Sequence, residues 1–103
     1  NMCYIYNIIS KNGKYKILGV DMKTHDLKIE KKYFNDVMTE KKKFEVRKDD
    51  RGYQVNDVLS LNEYDKDKQI YTGRHISAKV LYILDDNTFL KEGYIILSIS
   101  IIK

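Results

Sequence analysis

Proline does not occur in this 103-residue chain, cysteine occurs once, histidine twice and arginine three times. Without proline there is no proline-rich linker, and we find no internal repeat or low-complexity segment, so a single domain is expected. The lone Cys3 cannot close an internal disulfide, which fits a reducing, cytoplasmic setting. With His25 and His75 far apart, no zinc-ligand spacing exists, and neither a metal nor a cofactor is expected. The longest apolar run, "YIILSISIIK", is far shorter than the ~20 residues of a membrane helix, and no secretory n-region opens the chain. No membrane association is expected.

What is plentiful is charge and β-branched or aromatic side chains. Hydrophobic residues make up 43% and charged residues 33%, enough apolar content for one core in a folded domain. Net charge is +4, but residues 1–48 hold 12 Lys/Arg against 6 Asp/Glu, and the remainder holds 7 against 9. A basic first half suits an anionic partner or a solvated lysine-rich surface. Lysine outnumbers arginine 16 to 3, a bias resembling an AT-rich coding sequence, so the scarce arginines are the more informative cations.

Residue patterning predicts mostly strands. "CYIYNIIS" and "KYKILGV" flank an Asn12-Gly13 turn, a strong hairpin signal. "THDLKIE" is a short strand. Tyr33, Phe34, Val37 and Met38 then change the period to that of a helix near residues 30–41. "KKFEVRK", "DVLSLNEYD", "HISAKVLYIL" and "YIILSISII" return to strand patterns. One early helix among six or seven strands predicts an α+β fold whose strands curl into a partly closed barrel.

Residues 23–102, about four-fifths of the chain, closely resemble the small ASCH-like domains of the PUA-like superfamily, in an uncharacterised branch common in bacteria and their viruses, phages and prophages included. The helix followed by Lys42-x-x-Glu45-x-Arg47 carries the likeness, with "YTGRHISAKVLYIL" and "LKEGYIILSI" further on. Two departures stand out. Glu40 occupies a position where that group has glycine, so a different helix cap is expected. Asn56 precedes Asp57 where Gly-Asp is usual, and Asn tolerates positive φ well enough to keep the turn. The resemblance implies a mixed β-barrel with a cleft beside the helix, and an RNA-binding or nucleotide-binding role.

On a strand at 44–48, Lys43, Glu45 and Arg47 fall on one face, with Phe44 and Val46 expected to pack on the other. Glu45 and Arg47 can pair as i, i+2 neighbours. In one reading the pair is structural. In the other, Lys42, Lys43, Arg47 and Lys48 form a phosphate-binding rim, extended by Arg51 and Arg74, with Glu45 orienting the arginine. Tyr64 and Tyr71, and beside them Tyr53, are the candidate stacking rings for RNA bases, each also compatible with core packing. Tyr33, Phe34, Phe44 and Tyr82 are assigned to the core, and His25 to a structural hydrogen bond.

Two other function classes stay open. Some bacterial relatives of the resembled superfamily are amidohydrolases that remove an acyl group from a modified cytidine, using a lysine and a threonine. Here Lys42 is kept but Glu45 stands at the threonine position, so catalysis would fall to Lys42 and Glu45, with the carboxylate as general base. A protein-interaction module without nucleic acid is the third class. Salt titration against RNA and an acyl-nucleoside hydrolysis assay separate the three.

The resemblance also divides the chain into residues 1–21 and 22–103. Met22 looks like a natural start, because "LGVD" before it can be encoded with a ribosome-binding AGGAG. Residues 2–21 are then an added hairpin or translated leader, and Asn1 resembles an expression scar.

Overall fold

The computed structural model describes residues 9–11, 14–17 and 20–103, with side chains from residue 22 onward. The Asn12-Gly13 turn and the assignment of Asn1 lie outside the described residues. Seven strands and one helix follow in the order β1 (Ile9–Lys11), β2 (Lys14–Ile17), β3 (Val20–Glu30), α1 (Lys31–Met38), β4 (Phe44–Lys48), β5 (Val58–Asp65), β6 (Ile70–Leu84) and β7 (Tyr94–Ile101). The strands form one sheet ordered β1-β2-β3-β5-β6-β7-β4. β3 runs parallel to β5, and the other pairings are antiparallel. Strands β3, β5, β6, β7 and β4 curl into a half-barrel, the mixed α+β architecture that the patterning predicts. Among the described residues, no helix is long and apolar enough to cross a membrane.

The alternation of β5 drives the core. Leu59 and Leu61 are fully buried, in register with His25 and Leu27 on β3 and with Ala78 and Ile76 on β6. Val80, Ile95, Leu97 and Ile99 continue the apolar lining, and α1 lays Phe34 and Val37 against it. The helix is shorter than the 30–41 reading and presents a narrower apolar face. Tyr33 and Tyr82, expected in the core, are exposed, as is Met38 of the helical period. Eight residues give barely two turns, so only the stripe at i and i+3 reaches the sheet.

The exit from α1 corrects one expectation. Glu40 N–H bonds to Val37 O at 3.0 Å and Lys41 N–H to Asp36 O at 2.9 Å. Those two bonds define the Schellman closure that normally takes glycine at the left-handed position. Glu40 adopts it at φ +62°, so the cap is of the glycine kind, made by a residue with a Cβ. Asn56 at φ +79° keeps its turn as expected. Relieving the strain at Glu40 is expected to help: Glu40→Gly should raise stability by about 1 kcal/mol in urea melts. Its exposed ion pair with Lys103 (3.2 Å) is too weak to offset that gain. A lower midpoint would show that the pair outweighs the strain.

The path from β3 through α1 to β4 positions the candidate site. It carries the chain from one edge of the five-strand half-barrel to the other. Beyond the stretch that pairs with β2, the outer edge of β3 faces the outer edge of β4 across an open seam. No strand ladder joins the two among the described residues.

Candidate functional site

Side chains stitch the seam where backbone pairing does not. Arg47 on β4 donates from Nη2 to Lys28 O on β3 at 2.7 Å, and Arg51 Nη1 reaches Asp26 O at 3.4 Å. A planar guanidinium suits this bridging because its donors point in several in-plane directions. Arg47 also donates from Nε (3.2 Å) and Nη2 (3.0 Å) to Glu45 Oε2. Lys42 Nζ donates to Glu45 Oε1 at 2.7 Å and to Phe44 O at 2.7 Å. Glu45 is only 4% exposed, and a carboxylate buried that deeply requires such partners.

The alternation expected along β4 is present, but the side turned inward is the charged one. Glu45 is buried and Arg47 half-buried, whereas Phe44 and Val46, expected in the core, are 43% and 54% exposed. The reason is β4's place at the sheet edge, paired with β7 alone. Its inward positions sit at the mouth of the seam, where there is backbone to bridge and little apolar surface to cover.

Beside this clamp lies a cleft of about 740 Å³, within the range of small-molecule sites. It is lined by Lys28, Ile29 and Glu30 of β3, by Tyr33 and Asp36 of α1, by Lys41 and Lys42, and by residues 44–47 of β4. Four cations and three carboxylates therefore share one wall system. Tyr33, 40% exposed, and Phe44 flank Lys42, whose Nζ stands 5.4 Å and 4.9 Å from their ring centres. Among the described residues, Nη1 of Arg47 has no hydrogen-bond partner in the protein, so one guanidinium edge remains available at the cleft. The lining holds no serine, threonine or cysteine.

Of the residues singled out from sequence, Lys42, Glu45 and Arg47 meet in the cleft. Lys43 and Lys48 are exposed outside its lining, and Arg51 bonds to the edge of β3. Arg74 is elsewhere: it donates to Glu63 and to Asn35 Oδ1 and lies 4.6 Å above the Phe34 ring. Tyr64 and Tyr71 pair across β5 and β6, outside the lining. Tyr53 is core, its ring 4.7 Å from that of His25, and burial pushes its hydroxyl pKa up. His25 makes the expected structural bond, donating from Nε2 to the buried Asp57 at 2.7 Å. Asp57 also accepts from the backbone N–H of Lys23 and Gln54, tying β3 to the loop before β5. Sequence reasoning missed Lys28, Lys41, Tyr33 and Phe44 as cleft residues. The available signal was the short helix flanked by lysines, which keeps Tyr33 at the surface. Among the described residues, no group of three His, Cys, Asp or Glu side chains could hold a metal.

A small half-barrel, with a helix beside its open seam and a clamped carboxylate in the resulting charged cleft, is the class these features define. The chain belongs to the family described as a domain of unknown function, DUF3850, whose model matches residues 24–99. It is also similar to an uncharacterized 12.9 kDa protein in GpA 3'region of Escherichia phage P2, at 37% identity over 75 residues. That match covers 73% of this chain, which spans 66% of the length of the phage protein.

Proposed function

We propose that the seam cleft binds a nucleotide-like phosphate ligand, with RNA as its source, and that the half-barrel is of the ASCH-like, PUA-like type. The observation that carries this reading is the meeting of Lys41, Lys42 and Arg47 with two exposed rings, Tyr33 and Phe44, around one cleft. A base needs an exposed ring to pack against and a phosphate needs convergent donors, and this cleft offers both. Glu45 acts as the orienting group: it holds Arg47 so that the Nη1 edge stays presented. The half-barrel with its helix beside the cleft supports the fold reading. As a catalytic base, Glu45 would have to act with both oxygens already accepting from cations, which favours binding over hydrolysis.

Fluorescence anisotropy with labelled single-stranded RNA at several salt concentrations tests the proposal. With two to four phosphate contacts, log K should fall with log salt at a slope of about −1.5 to −3. Lys41→Ala, an exposed change, and Arg47→Ala should each weaken binding and flatten the slope, whereas removing Lys103 should leave both unchanged. A protein that binds no RNA at low salt, or an Arg47→Ala variant that binds as well as the parent, would refute the reading. A protein-interaction module would then be favoured. Release of acid from an acyl-cytidine would point to the hydrolase.

A further inference from the structure

Tyr64 and Tyr71 face each other across β5 and β6, their rings 5.1 Å apart and inclined at 70°. Lys28 Nζ lies 4.0 Å from the centre of the Tyr64 ring and 5.9 Å from that of Tyr71. Cross-strand packing accounts for Tyr64, which is half-buried. It does not account for Tyr71, whose side of the pair is 58% exposed. Glu30 on β3 stands in register with Tyr64, and both Glu30 and Lys28 also line the cleft. Lys28 and Glu30 of β3 thus border the cleft on one side and Tyr64 on the other. Tyr71 lies on β6, two strands and so about 10 Å from β3, a distance that an extended single strand can span.

We infer that the cleft and the Tyr64–Tyr71 pair are consecutive subsites for one single-stranded RNA, so that the ligand is an oligonucleotide and not a free mononucleotide. This rests on the nucleotide-binding reading of the cleft. One nucleotide occupies the cleft beside Tyr33 and Phe44. The neighbouring base stacks on the exposed Tyr71 ring, and Lys28, between the two subsites, meets the intervening phosphate. Lys28 is placed for that role because its ammonium already stands over the Tyr64 face with an exposed side chain.

Titration calorimetry at low salt with 5′-AMP and with a five-residue oligoadenylate separates the two subsites. The oligomer should bind about tenfold more tightly than AMP, the gain expected from one stacked base. Tyr71→Ala should remove that gain and leave AMP affinity unchanged, and Tyr71→Phe should retain it. The AMP measurement also reports that the variant's cleft is folded. Equal affinity for AMP and oligomer, or a Tyr71→Ala loss that is the same for both, overturns the second subsite while the cleft reading stands. Failure of both probes to bind overturns both.

Discussion

Arg74→Ala should destabilise the protein clearly at neutral pH, and the loss should shrink as the solution is acidified. The cause is Glu63, which is 1% exposed and needs its cation. Opposite Glu63, the strand pairing shifts, and Thr72, Gly73 and Arg74 of β6 bulge against this one residue of β5. Gly73 takes φ +92° there, a conformation that few residues tolerate. The bulge brings Thr72 Oγ1 (2.5 Å), Arg74 Nε (2.9 Å) and Arg74 Nη2 (2.7 Å) onto the carboxylate. Hydrogen bonding from Arg74, working against burial, holds the Glu63 pKa at about 2, against an ordinary 4.5. A carboxylate with a depressed folded-state pKa contributes stability that is complete above about pH 4.5 and is lost as pH falls towards 2. Because Arg74 is 47% exposed, solvent screens the pair and keeps the effect below that of a fully buried one. Without Arg74, burial is opposed only by the Thr72 hydrogen bond and the charge of Lys31, so the carboxyl protonates earlier on acidification than in the parent and its penalty shrinks. Urea melts of parent and variant should therefore differ most at pH 7 and least near pH 3. A gap that stays constant between those two pH values would place the loss in the contacts of Arg74 with Phe34 and Asn35 instead. Glu63→Gln, which keeps an acceptor and removes the charge, should lose less than Arg74→Ala.

The same bulge explains why Arg74 lies away from the cleft rim. An arginine at the entry to a strand, extending the rim from its loop, would be free to reach a cleft. Within a continuous fifteen-residue β6, it is committed to an inward carboxylate on the neighbouring strand. Local features were legible: the period of α1, the alternation of β5 and β7, the left-handed turn at Asn56, and the Glu45–Arg47 pair, which needs only i, i+2 geometry. Period 2 along β4 separated Glu45 and Arg47 from Phe44 and Val46 but did not say which pair turns inward. Hydrophobicity alone chose Phe44 and Val46. What reversed the choice is long-range: β4 falls at an edge, and the acceptor that Arg47 meets is Lys28 O, nineteen positions away. The cleft lysines were hidden for the same reason. In a chain with 16 lysines, only the closing of β3 towards β4 distinguishes Lys28 and Lys41 from the rest.

Glu45→Ala tests that seam directly and should cost about 2–3 kcal/mol, while Lys43→Ala should stay within about 0.5 kcal/mol. Lys43 has an exposed side chain. Glu45 holds two cations whose side chains are only 17% and 20% exposed, Lys42 and Arg47. Removing the carboxylate leaves these two charges close together, half-desolvated and repelling. It also frees the guanidinium that anchors β4 to Lys28 O. Glu45→Gln should fall between the two, since it retains one acceptor but turns an amide N–H₂ towards a cation. Urea midpoints of the three variants check the order, and equal, near-zero effects would show the clamp to be surface decoration. The sign of the change in RNA affinity then distinguishes two kinds of site. If the cleft attracts phosphate by charge alone, deleting Glu45 makes it more positive and binding tightens. If, as we propose, Glu45 fixes Arg47 so that its Nη1 edge points at the ligand, Glu45→Ala loosens binding despite the gain in positive charge. Weaker binding by folded Glu45→Ala is the expected result, and tighter binding would remove Glu45 from the site's design.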